Sequence, residues 1–111
     1  MESNFTVVAD PSRRAILNCL ATSELSVGEI ESQLNMTQPS VSKHLRVLRE
    51  AGFVEARVDA QRRLYRIRPE PFREMDAWLA QFRRFWLAHV DALERHLDRT
   101  EREPRRKGKR R

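Results

Sequence analysis

Three histidines (His44, His89, His96), one cysteine (Cys19) and sixteen carboxylates are the groups in this 111-residue chain that could carry acid–base, nucleophilic or metal chemistry. Cys19 lies in the apolar run AILNCL and reads as a small core residue; no second thiol exists to resolve an oxidised form. A lone cysteine also excludes an intrachain disulfide and any Cys-x-x-Cys zinc site. His89 and His96 stand seven residues apart, on similar faces of a helix, which suits interface packing or solvent exposure. No Ser/His/Asp, Cys/His or paired-carboxylate constellation is present, and three glycines build no phosphate-cradling loop. The expectation is a protein that is not an enzyme and carries no metal or cofactor.

What remains is recognition chemistry, and it is concentrated. Thr37, Gln38, Ser40, Ser42, Lys43 and Arg46 fall within ten residues, and Gln61, Arg62 and Arg63 form a second polar cluster. A glutamine amide can pair bidentately with adenine, and serines are small enough for close approach to bases or phosphates. Thr37 and the helix start behind it offer donors to a phosphate, while the arginines and the lysine add charge. His44 is expected in a partly buried structural or phosphate-contacting role.

The charge pattern points the same way. Of the net +6, six positive charges sit in residues 105–111 (RRKGKRR), so residues 1–104 are neutral overall. Residues 38–68 hold eight basic side chains against three acidic ones, between a segment with two against five and another with six against eight. A positive centre between acidic flanks has a polyanion as its natural partner.

The elements that must position these residues follow from caps and periods. Asp10-Pro11 is an N-cap followed by a proline that loses no hydrogen bond, so a helix is expected over residues 11–22, preceded by a short one around 5–8. Ser26-Val27-Gly28-Glu29 has capping-box spacing, and Val27, Ile30 and Leu34 share a face over residues 27–35. Asn35-Met36 makes a turn. Thr37 then caps a helix over residues 38–51, in which Pro39 is tolerated in the first turn. Val41, Leu45 and Leu48 form its buried stripe, and Gly52 suits a left-handed stop. Opposite that stripe lie Pro39, Lys43 and Arg46, flanked by Ser40, Ser42 and Val47.

After Gly52 the period changes to two. Val54, Ala56 and Val58 alternate with Glu55 and Arg57, Tyr65 and Ile67 share a face, and the short connection 59–62 predicts a β-hairpin. Residues 69–98 then read as one long helix of roughly 45 Å. Its stripe contains Phe72, Met75, Trp78, Leu79, Phe82, Phe85, Trp86, Val90 and Leu93. Burying about eight such side chains yields a gross ~12–24 kcal/mol, before association costs, which favours self-association. Residues 99–111 are expected to be a disordered basic tail.

Two short helices joined by a tight turn and followed by a hairpin make a winged helix-turn-helix. The expected class is mostly α with a small β-hairpin: a single domain over residues 1–98 whose C-terminal helix, about 69–98, mediates dimerisation. Apolar runs of three or four residues allow no transmembrane helix, and no secretory signal is visible. The expected compartment is the cytoplasm.

ADPSRRAIL (residues 9–17), LSVGEIESQL (25–34), MTQPSVSKHLRVLREAGFV (36–54) and RRLYRI (62–67) resemble the ArsR/SmtB family of bacterial winged-helix repressors, over about residues 5–98. The resemblance implies a homodimer that represses transcription from an operator in double-stranded DNA. It points to Gln38, Ser40, Ser42, Lys43 and His44 as DNA contacts and to the hairpin as wing. The family is best known for metal sensing, but its thiolate site would need Cys-x-Cys where this chain has Ser26-Val27-Gly28-Glu29. Its second site keeps Asp76 and His89, with Trp78 and Ala92 in the other two positions. A metal-independent branch is therefore expected, with a palindromic operator. The alternatives are an RNA-binding or protein-recruiting module, or a ligand-responsive regulator with an apolar pocket at the dimer interface.

Overall fold

The computed structural model describes residues 3–102. Its elements run α1 (Asn4–Ala9), α2 (Pro11–Leu20), α3 (Val27–Leu34), α4 (Gln38–Glu50), β1 (Val54–Asp59), β2 (Arg62–Ile67), α5 (Glu70–Ala80) and α6 (Arg83–Arg102). Two compact units meet at Asp76/Ala77, within α5.

The ADPSRR stretch is a joint that finishes one helix and starts the next. Asp10 Oδ1 accepts from the backbone N–H groups of Ser12 (2.8 Å) and Arg13 (3.1 Å), capping α2. In the other direction Arg13 Nε donates to the Val7 carbonyl at 2.7 Å, and Arg14 Nη1 donates to those of Val8 and Ala9 at 3.0 Å. The carbonyls that α1 leaves without intrahelical partners are thus satisfied by α2's own arginines.

The expected capping box forms, with Ser26 N donating to Glu29 Oε1 (2.8 Å) and Glu29 N to Ser26 Oγ (3.2 Å). Asn35 ends α3 in the left-handed conformation (φ 55°, ψ 45°). Thr37 caps α4 by accepting from Ser40 N. At the far end Phe53 N bonds the Leu48 carbonyl (2.8 Å) and Gly52 N that of Arg49 (3.0 Å), the Schellman pattern, with Gly52 at φ 83°.

The hairpin pairs Val54 with Ile67, Ala56 with Tyr65 and Asp59 with Arg62, leaving a two-residue turn in which Ala60 sits at φ 58°. Leu25 joins Tyr65 through two backbone bonds (3.1 and 2.8 Å), tying the segment before α3 to the wing. Leu64 lies on the outer face with Arg57 and is nonetheless buried, which the alternation did not predict. The core is built from Val7 of α1, Ile16 and Leu20 of α2, Ile30 of α3, the α4 stripe, and Phe53, Val54 and Tyr65.

Three expectations need correction. The single helix over 69–98 is two: Phe82 N bonds the Leu79 carbonyl and Phe85 N that of Phe82, both at 2.9 Å, with i→i+3 spacing. Gln81 Nε2 takes the Trp78 carbonyl at 3.0 Å, so a side chain competes with the helical ladder there. Helix α6 then continues to Arg102, past the expected boundary at 98, and residues 103–111 of the expected tail lie outside the described residues. Finally, Phe72 and Met75 pack on the chain's own core instead of belonging to a free stripe. The start of α5 passes over the hairpin root, where Phe72 meets Phe53 edge-on (centroids 5.3 Å apart), and Asn4 Nδ2 holds Glu74 Oε1 at 2.9 Å.

Candidate nucleic-acid interface

Helix α4 is anchored by Val41, Leu45 and Leu48, each no more than 2% exposed. That anchoring decides which side chains point outward. Thr37, Gln38, Pro39, Lys43 and Arg46 are exposed; Ser40, Ser42 and Val47 are half-buried along the flanks. Gln38 Nε2 donates to Ser42 Oγ, one turn on, at 3.0 Å. In the first turn of α4 Pro39 carries no N–H and the Thr37 hydroxyl accepts from that of Ser40, which leaves the Gln38 N–H.

His44 does not join this face. It is 9% exposed, its Nδ1 has no hydrogen-bond partner among the described residues, and it sits within the buried side of α4. Position 44 falls one turn from Val41 and next to Leu45, so the helical period carries it inward. Its neighbourhood includes Asp10. That carboxyl is held below its ordinary value chiefly by the Arg13 backbone N–H, with Ser12's N–H and the charges of His44 and Arg13 adding.

The hairpin tip places Gln61, Arg62 and Arg63 in solvent. Arg62 Nη1 reaches Glu29 Oε2 at 3.6 Å, and Arg62 helps the Ser26 backbone N–H, the main cause, to hold the Glu29 carboxyl low. Along the strands the cations are paired. Arg57 Nε meets Glu24 Oε1 at 2.7 Å and Arg66 Nε meets Glu55 Oε2 at 2.7 Å. Arg68 Nε lies 3.6 Å from Glu70 Oε1. Lys43, Arg46, Arg49 and Arg63 have no carboxylate partner among the described residues.

The eight-to-three charge excess of residues 38–68 therefore overstates what faces solvent unpaired. Glutamates from outside the segment (Glu24, Glu29 and Glu70) draw off four of its arginines, and no linear pattern announces a partner 33 residues away. Arg13 and Arg14, basic in the sequence, spend their guanidinium groups on α1 carbonyls. Cys19 is half-buried, and burial pushes its thiol up, away from the reactive thiolate.

In the second unit the apolar stripe is exposed. Phe85 is 66% and Trp86 40% accessible, and Trp78, Leu79, Val90 and Leu93 are also exposed. Phe82, half-buried, stacks between Trp78 (4.8 Å) and Phe85 (6.4 Å), and Arg84 lies over the Phe85 ring at 4.9 Å. Among the described residues no group of His, Cys, Asp or Glu is placed to hold a metal ion, and no helix is long and apolar enough to cross a membrane.

Comparison with known proteins places these features in company. The family described as bacterial regulatory protein, arsR family, matches residues 10–56, from the α2 cap through α4 into β1. The HTH-type transcriptional regulator Rv2034 of Mycobacterium tuberculosis is 39% identical over 91 residues, 82% of each chain. A biofilm growth-associated repressor of Agrobacterium fabrum is 45% identical over 60 residues, 54% of this chain; the match spans about half (51%) of that repressor's length. Among solved structures, the ArsR family transcriptional regulator RHA00566 superposes with a TM-score of 0.65 at 34% identity, covering 75% of this chain and 86% of that one.

Proposed function

Because the chain belongs to the arsR family of bacterial regulatory proteins, we propose that it is a homodimeric, sequence-specific repressor that binds double-stranded operator DNA and has no enzymatic activity. The observation that carries this reading is the outward face of α4. A helix locked to the core presents an exposed Gln38 at its N-terminal end, followed by the exposed cations Lys43 and Arg46, the arrangement by which a recognition helix reads base edges from the major groove. Ser40 and Ser42 flank that face, Thr37 and the Gln38 backbone N–H meet phosphate, and Gln61, Arg62 and Arg63 form the wing contact.

The exposed stripe from Trp78 through Leu93 supports self-association. A two-fold dimer presents two α4 helices to successive major grooves, roughly 34 Å apart, and so requires a palindromic operator. Signalling in this protein is independent of metal. At the start of α3, Ser26 and Glu29 oxygens are spent on each other's backbone N–H groups, and an indole stands at position 78. The protein acts in the cytoplasm, and residues 101–111 add phosphate contacts that do not discriminate sequence.

Gel shifts on operator and random duplexes, with wild type and Gln38→Ala, test the assignment. Wild type discriminates and the variant loses discrimination; unchanged operator preference in the variant rejects the face. Equal competition by duplex RNA or single strands would favour an RNA-binding module. Stoichiometric zinc, cadmium or arsenite leaves operator affinity unaltered, and a tight titration that releases DNA overturns the metal-independent reading.

A further inference from the structure

Two arginines are neighbours at the hairpin tip, and the fold gives them different electrostatic company. Arg62 Nη1 lies 3.6 Å from Glu29 Oε2, whereas Arg63 has no carboxylate partner among the described residues. Successive strand residues point to opposite faces of the hairpin, so Arg62 turns toward the start of α3 and Arg63 away from it. Glu29 is fixed in place. Its Oε1 accepts from the Ser26 backbone N–H at 2.8 Å, and its own N–H donates to Ser26 Oγ at 3.2 Å. One carboxylate oxygen thus closes the α3 capping box while the other faces the wing. The Ser26 N–H also holds the carboxyl below its ordinary value, which keeps it charged well into acid. The pair itself is loose, with the two side chains 55% and 43% exposed, and an exposed pair of this kind is weak enough to exchange its partner.

We propose that Glu29 competes with DNA phosphate for Arg62, an autoinhibitory contact that lowers affinity for every duplex by the strength of the ion pair that must be displaced. The proposal rests on the wing contact assigned above and adds to it a carboxylate that opposes that contact. When Arg62 swings onto a phosphate it trades one anion for another. Glu29, tied to Ser26, cannot follow and is left without its cation. Phosphate carries no sequence information, so the opposition falls on operator and random duplex alike.

Filter binding at low salt, about 50 mM, tests this with Glu29→Gln, which removes the charge and keeps an acceptor for the capping box. The variant is expected to bind operator and random duplex about two- to fivefold more tightly, the worth of one exposed ion pair. Added salt shrinks the gain, and an Arg62→Ala background abolishes it. An Arg63→Ala background leaves it intact, because Arg63 has no share in the pair. Thermal melts of each variant confirm that it is folded. Unchanged affinity in Glu29→Gln overturns the proposal. Weaker binding overturns it as well, and marks Glu29 as a strut that holds Arg62 ready for DNA. A gain that survives Arg62→Ala marks a general effect of net charge and is equally fatal. In each of these cases a loss of binding in Arg63→Ala leaves the wing contact standing. If Arg62→Ala and Arg63→Ala both bind as wild type does, the wing contact and the proposal fall together.

Discussion

Lys43 and Arg57 stand in the same stretch of basic sequence and carry the same charge, yet they have different surroundings. Arg57 is held by Glu24 at 2.7 Å, whereas Lys43 and Arg46 have no carboxylate partner among the described residues. Replacing Lys43 or Arg46 by alanine is expected to weaken binding to operator and random DNA alike, and to reduce the log–log salt slope by about 0.9 for each phosphate that is no longer neutralised. Arg57→Ala leaves that slope unchanged. Filter binding across a salt series checks all three. The carboxylates Asp10 and Glu29 make a second prediction. Backbone N–H donors, from Arg13 and from Ser26 respectively, hold both below their ordinary values in the folded chain. The folded state thus binds fewer protons than the unfolded one in acid. Their contribution to stability is complete above the ordinary carboxylate range, about pH 4, and is lost as pH falls through the lowered values. Denaturation midpoints followed through that range fall on acidification, and fall less steeply in Asp10→Asn and Glu29→Gln. Of these residues, Asp10 and Glu29 were legible as caps because a cap's partners lie within three residues. The neutralised arginines were not, because Glu24 and Arg57 are brought together only by the fold.

At the scale of elements, two backbone positions carry opposite predictions. Gly52 ends α4 at φ 83°, and a Cβ there would meet nothing within 4 Å. Gly52→Ala therefore costs only the backbone strain of the left-handed region, about 1 kcal/mol. Ala60 adopts φ 58° in the wing turn, a position suited to glycine. Ala60→Gly raises stability by about 0.5–1 kcal/mol. Urea titration of both variants measures the two signs. Gly52 was legible as a stop; the strain at Ala60 was not, since Asp-Ala-Gln-Arg carries no turn signature. The α5–α6 break was hidden for a related reason. No proline or glycine marks residues 81–82, and the apolar spacing runs through them, so a periodic reading continues where Gln81 and the i→i+3 bonds interrupt the ladder.

For the whole molecule, the prediction concerns assembly. With Val90 and Leu93 both changed to glutamate, light scattering is expected to shift from two chains to one. The circular-dichroism signal of the α1–α4 unit should persist, and operator affinity should fall by more than about tenfold. A dimeric mass in that variant rejects the stripe as the interface.

The amino-acid order alone determined the starts of α2, α3 and α4, the stop at Gly52, the hairpin and the face of α4 that Gln38, Lys43 and Arg46 share. Caps and periods are interactions among residues within about four positions of one another. Tertiary structure alone decided that Phe72 and Met75 belong to the chain's own core and that half the basic cluster is neutralised. Burial and ion pairing depend on what the fold brings alongside, and for Asn4 and Glu74 that neighbour lies 70 residues away.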